Sequence, residues 1–292
     1  STVVSTRINF IQPAENAISF ILVSFLFIFV FIEITRIFTY WENQSGIQTS
    51  SDVFAYFLTN PAISELKNLW QINYAITFVY LGYLINKRWV QRDKTNQTIF
   101  VASLILMVVF VYSFFGSILD LRQLYMGTTE TNNFGQGAGN IINRYIFIAF
   151  GVLNVLSLKN TLPELRNNLD KKVVFEWFLV FFSIFLLSSE LIQWLDLAGF
   201  SNTYKLGLSI LWGLCSLYLI VYGIIRQKQH YRFAAMAIFS ITLLKLFFYD
   251  ISHLSTISKT VVFVTLGVLL LMISFLYNRF KEKLLEEADI RP

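Results

Sequence analysis

The sequence predicts an all-α integral membrane protein of eight transmembrane helices, arranged as two tandem parallel four-helix repeats. Three observations predict it: long apolar runs nearly free of charge, basic residues gathered in alternate connections, and the same order of polar marks in both halves. Of 292 residues, 55% are hydrophobic and 14% are charged, with 30 Phe and only 4 Pro. Soluble domains average about 25% charged residues. A core of this size in water cannot hide so many aromatic rings, so lipid is the alternative solvent. In lipid every backbone N–H and C=O must be satisfied within the segment, which long Phe- and Leu-rich stretches achieve as helices.

A hydrocarbon core about 30 Å thick asks for roughly 20 apolar residues per helix. Eight runs qualify, at approximately 14–38, 70–86, 98–119, 144–159, 173–191, 204–225, 233–249 and 259–278. The connections after the second, fourth, sixth and eighth runs carry fifteen of the 23 basic residues. They are Lys87, Arg88, Arg92 and Lys94, then Lys159, Arg166, Lys171 and Lys172, then Arg226, Lys228 and Arg232, and finally Arg279, Lys281, Lys283 and Arg291. The other connections hold only Lys67 and Arg122, with Arg144, Lys205 and Lys259 at the helix starts that follow. Positive charge in short loops stays on the cytoplasmic side during insertion. Both termini are therefore expected in the cytoplasm, the net charge of +5 reflects topology, and nucleic acid is not an expected partner.

The organisation expected along the chain follows. Residues 1–13 form a cytoplasmic or interfacial segment, 14–160 a first four-helix unit, 161–172 a cytoplasmic linker, 173–280 a second unit and 281–292 a charged cytoplasmic tail. The chain starts at Ser1 without an initiator methionine, which reads as a part of something longer. Trp41, Trp70, Trp89, Trp177 and Trp194 fall near the ends of runs, where amphipathic rings sit at headgroup level. Trp212 lies further inside and reads as a packing residue. No connection exceeds about 32 residues, so any chemistry must use helices and loop mouths.

The repeat rests on paired marks. Glu33 closes the outer end of the first run and Glu190 that of the fifth. The second and sixth runs end in aromatic stretches followed by basic residues, VYLGYLINKR and YLIVYGIIRQK. The third and seventh reach an outer acid, Asp120 and Asp250, each in Asp-x-x-x-Leu, and the fourth and eighth share Gly-Val-Leu at Gly151 and Gly267. Four helices per unit leave both copies the same way up, unlike the inverted repeats of many transporters.

Ionisable side chains within spans cost about 2.5–3.5 kcal/mol each on insertion scales and so need partners or water. Glu33, Arg36, Glu190 and Lys245 are the candidates, with Asp120, Arg122, Asp250 and His253 just outside the membrane on the same side. Glu33 and Arg36 are three apart and can pair on one helix face. Lys245 either extends its stem outward or pairs with Asp250 or Glu190. Together the eight groups would line one polar, outward-facing mouth. No chain of acids crosses the midplane, which argues against a proton pump or a channel filter.

The remaining signals are weak. The glycines at 135–139 form a flexible loop rather than a phosphate cradle, since no strand precedes them. His230 belongs to a basic loop and is expected to be solvated. His253 beside Asp250 is thin support for acid–base catalysis. The single Cys215 rules out an internal disulfide or a cysteine-based zinc cluster and reads as a small apolar residue. No cofactor or metal motif is present.

The stretch Leu243–Phe280, LLKLFFYDISHLSTISKTVVFVTLGVLLLMISFLYNRF, resembles the C-terminal signature of a bacterial predicted-membrane-protein family, domain of unknown function twenty-three thirty-nine. Lys245, Asp250, Leu254, Lys259, Gly267 and the closing Tyr277-x-Arg279-Phe280 carry the likeness. The resemblance implies a bacterial inner-membrane setting and a chain corresponding to the C-terminal part of longer members, and it implies no reaction.

The function expected first is a non-enzymatic scaffold or subunit of a bacterial cell-envelope assembly, with protein subunits and the lipid bilayer as partners. One alternative is a transporter or lipid-handling protein with a lipid or small-molecule ligand between the repeats. The other is a membrane-embedded envelope transferase using Asp250 and His253.

Overall fold

A computed structural model describes residues 2–50, 55–127, 134, 137–162, 169–200, 204–246 and, apart from 258, 262 and 269, residues 257–275. The chain divides into two compact units, Ser1–Pro163 and Glu164–Pro292. Every described part of the eight apolar runs is helical, save for a break at Gly116. Among the described residues, five helical segments are long and apolar enough to cross a membrane: Ile21–Gln44, Asp93–Met126, Gly139–Asn160, Lys172–Leu197 and Gly207–Ile225.

The first unit begins with the long helix α1 (Thr2–Gln44), followed by a hairpin of β1 (Ile47–Ser50) and β2 (Ala55–Leu58). The strands are antiparallel, with Ile47 opposite Leu58 and Ser50 opposite Ala55. Sequence reading expected no strands here, because the hairpin occupies a polar connection where apolar alternation is weak. Its base is closed by Ser45, whose hydroxyl accepts from Asn60 N at 2.9 Å, and by an ion pair of 3.0 Å between Lys67 Nζ and Glu42 Oε2.

Helix α2 (Pro61–Ile85) starts where it does for two local reasons. Pro61 supplies a helical φ without a lost donor, and Asn60 caps the turn by accepting from Ala62 N at 3.0 Å. It ends in one π turn, Asn86–Val90, with Gln91 left-handed at φ 50°. Asn86 is 1% exposed and holds the following basic loop, donating from Nδ2 to Asn96 Oδ1 at 2.7 Å and accepting from Arg92 N at 3.2 Å. α1 lies along α2 through Phe27, whose ring stacks on Tyr74 at 5.4 Å, and through Gln71, which donates to Thr35 Oγ1 at 2.8 Å.

The core of this unit is built by α2 with α3 (Asp93–Phe115), α4 (Ser117–Met126) and α5 (Gly139–Asn160). Gly116 breaks the third apolar run into α3 and α4. Phe110 of α3 and Phe147 of α5 are fully buried and stack at 4.4 Å. Gly151 makes this approach work: a Cβ there would stand 2.4 Å from the Phe110 ring. Small residues let membrane helices close up, and polar ones join them. Here Ser103 and Ser157 share a hydrogen bond of 3.0 Å, and Asn154 Nδ2 donates to Ser103 O at 3.0 Å.

The second unit contains α6 (Leu169–Leu197), α7 (Tyr204–Ile225), α8 (Gln229–Lys245) and the shorter apolar helix α9 (Lys259–Phe275). α7 and α8 form a tight hairpin through Arg226–Lys228, with Gln227 left-handed at φ 53°. Gly223 permits it, since a Cβ would meet Arg232 Cγ at 2.8 Å. Val180, Leu219, Ile220, Ala235 and Ile238 make the core, with Trp212 and Ile273 packed on it. Trp212 donates to Ser188 Oγ at 2.8 Å, so its expected packing role comes with a fixed polar partner. Gly267, by contrast with Gly151, faces open space.

Candidate functional site

A cavity in the second unit lies between α6 and α7. α6 contributes Glu176, Leu179, Val180, Ser183, Ile184 and Leu187, a stripe at spacings of three and four that places one helix face along the groove. α7 faces it with Leu214, Cys215, Tyr218, Leu219 and Tyr222. The volume is about 450 Å³, within the range of small-molecule sites. From Glu176 to Leu187 the α6 wall runs 11 residues, about 16 Å at helical rise. The rim residues Ser183, Leu187, Leu214 and Tyr218 are exposed, so the groove is open along one side.

One end of the groove is apolar and the other is charged. Both oxygens of the Glu176 carboxylate are engaged, Oε1 by Lys228 Nζ at 2.6 Å and Oε2 by His230 Nε2 at 2.5 Å. His230 donates here, because an ionised carboxylate only accepts. The Glu176 side chain is 13% exposed, so this is a largely desolvated contact that joins α6 to the start of α8. Aromatic rings wall the same end. Tyr231 meets Tyr222 edge-on at 5.0 Å and lies 4.6 Å from the His230 ring. Lys228 stands 5.4 Å from the Tyr231 ring centre and Arg226 5.9 Å from that of Tyr222, inside cation–π range.

The expectation of a solvated His230 is therefore corrected. Its loop is basic, but α6 brings an acid to it from 54 residues away. Glu176 itself carried a readable signal, an acid three residues into an apolar run at 173–191, where an ionisable group calls for a partner. Lys228 and His230 are separated from it by a whole helical hairpin, and no spacing rule links them. Arg144, read only as a basic residue at a helix start, is 2% exposed with its guanidinium 5.0 Å from the Phe114 ring centre.

The outer-mouth residues are placed as follows. Glu33 and Arg36 pair along α1 at 3.6 Å, both well exposed. Asp120 is exposed on α4, and Arg122 on the same helix is half-buried. Glu190 is half-buried on α6. Lys245 donates to the backbone oxygen of Lys205 at 3.1 Å and to Ser209 Oγ at 3.0 Å, binding the end of α8 to the start of α7. Asp250 and His253 lie outside the described residues, and with them the acid–base pair. The Gly135–Gly139 loop is described only in part, at 137–139.

Residues 141–280, which include all but the first two residues of α5, the whole of α6 through α9 and every residue of the groove, match the model of a family described as "Predicted membrane protein (DUF2339)". No curated protein and no solved structure matches the chain.

Proposed function

With residues 141–280 placed in a family of membrane proteins, we propose that this chain is a multi-pass protein of the bacterial inner membrane that handles lipid. One apolar chain of an amphiphile would lie in the groove between α6 and α7, its polar end against the Glu176–Lys228–His230 cluster. The observation that carries this reading is the polarity of the groove: about 450 Å³ of mostly aliphatic and aromatic lining that closes on a charged group at one end only. A substrate with one greasy end and one polar end fits such a site. In the same proposal eight helices cross the bilayer, both termini are cytoplasmic, and the two units are parallel repeats. The alternation of basic connections supports this orientation. The break between units at Pro163, inside the expected linker, supports the repeat.

Native mass spectrometry of the protein released from nanodiscs tests the reading, with Cys215 as an internal probe because it lines the groove. Wild-type protein should retain lipid and shield Cys215 from a maleimide. Leu214→Trp, which fills the groove, should release the lipid. Protein that carries no lipid, with Cys215 labelled equally in bilayer and in delipidated detergent, would overturn the proposal.

A second reading, as a scaffold or subunit of an envelope assembly, draws on α1. Among the described residues, none of α1 from Ile21 to Gln44 is fully buried, which leaves a long helical face for another chain. Isolation of the protein in mild detergent without a co-purifying subunit would count against it.

A further inference from the structure

We infer that the lipid held in the groove is anionic, with a phosphate-bearing headgroup seated at the turn between α7 and α8. The inference rests on the lipid-handling reading and goes beyond it by fixing the headgroup charge. Four basic residues fall within seven positions at this turn: Arg226, Lys228, His230 and Arg232. Among the described residues Glu176 is the one charged side chain that lines the groove, and each of its oxygens already accepts from Lys228 or His230. An ammonium headgroup would have to share that carboxylate with two donors already on it, beside further positive charge at the turn. An anion needs unspent donors. Lys228 uses one of its three N–H groups on Glu176 and remains 34% exposed, so it has donors left to turn outward. Arg226 is exposed, held beside the Tyr222 ring at the mouth of the groove. A phosphate at this point meets surplus positive charge and receives charge-assisted hydrogen bonds. The apolar wall then runs away from it for about 16 Å, on the order of one acyl chain.

The geometry also excludes a symmetric arrangement. Leu187 lies at the opposite end of the α6 stripe, where the lining carries no charge, so the lipid can enter with its headgroup in one orientation only.

The test uses the full chain in nanodiscs of phosphatidylcholine doped with phosphatidylglycerol, read by native mass spectrometry for retained lipid. Wild type is expected to retain phosphatidylglycerol over phosphatidylcholine by about tenfold, given the strength of single cation contacts near an anionic headgroup. Arg226→Gln should reduce that preference severalfold, and Arg226→Gln with Lys228→Ala should abolish it, while Lys228→Arg keeps it. Should the double variant not fold, Arg226→Gln decides alone, because Arg226 is exposed and outside the ion pairs. Equal retention of both lipids by wild type, with both released by Leu214→Trp, overturns the anionic inference and leaves the lipid-handling reading standing. Retention of neither lipid overturns both. Displacement of bound phosphatidylglycerol by millimolar inorganic phosphate would show that the turn recognises free phosphate and overturn the assignment to a lipid.

Discussion

His230 Nε2 and Glu176 Oε2 meet at 2.5 Å, which makes α8 and α6 partners through a contact between residues 54 apart. Lys228 completes it at 2.6 Å on the other oxygen. Replacing the acid by an amide leaves one donor without its acceptor and both without the counter-charge in a largely desolvated place. Hydrogen bonds to charged groups contribute about 1.5–3 kcal/mol, and Lys228 is partly exposed, so the lower half of that range applies to it. Glu176→Gln is expected to lower the thermal midpoint in detergent by several degrees. A midpoint equal to that of wild type would show that the cluster does not hold the unit together.

The two glycines that open the Gly-Val-Leu stretches at 151 and 267 should respond differently to one methyl group. At Gly151 a Cβ would sit 2.4 Å from the Phe110 ring, while at Gly267 nothing lies within 4 Å. Overpacking costs about 1–3 kcal/mol. Gly151→Ala should destabilise the protein by that order and Gly267→Ala should be close to neutral. Equal effects in thermal unfolding would contradict the packing described for Phe110.

Ser103 and Ser157 provide a measure of polar adhesion between α3 and α5. Interhelical hydrogen bonds in membranes are worth about 0.6 kcal/mol on average. A double-mutant cycle with Ser103→Ala and Ser157→Ala should return a coupling of that size and sign. A coupling of zero would mean that each hydroxyl is satisfied equally well by its own helix.

Lys245 gives a further check, approached through its acceptor. Ser209 is fully buried and accepts from Lys245 Nζ at 3.0 Å. Ser209→Ala removes one hydrogen bond from a cation without adding bulk, at an expected cost of about 1–2 kcal/mol. Unchanged stability on unfolding would argue that the Lys205 carbonyl alone suffices for the ammonium.

Much of the architecture was legible because its causes are local. Run length and the absence of charge report the solvent around a helix, and the edges of 204–225 coincide with those of α7. The hairpin at 47–58 and the break at Gly116 were not foreseen, since neither disturbs the hydropathy that carried the reading. The groove was only half legible. Glu176 stands out as an acid inside an apolar run, but its partners lie across a helical hairpin and are chosen by packing. Lys245 shows a related limit. Its expected partners were side chains, Asp250 or Glu190, and one of the acceptors found is the backbone oxygen of Lys205, which every residue type presents alike. Gly151 and Gly267 show the same limit, for both read as Gly-Val-Leu, and only Phe110 distinguishes them.

The exposed setting of α1 bears on how the first unit meets membranes of different thickness. Its main neighbour is α2, reached through exposed or half-buried residues such as Phe27, Thr35 and Glu42, while the seam of α3 and α5 is buried and joined by Ser103, Asn154 and Ser157. Mismatch between a hydrophobic segment and its bilayer is relieved by tilting, at a fraction of a kcal/mol per Å. Among the described spans, Ile21–Gln44 is the one with no fully buried residue, so its tilt disturbs the least packing. In thinner bilayers α1 leans while the buried seam of α3 and α5 keeps its spacing, a compliant element beside a stiff one within the first unit.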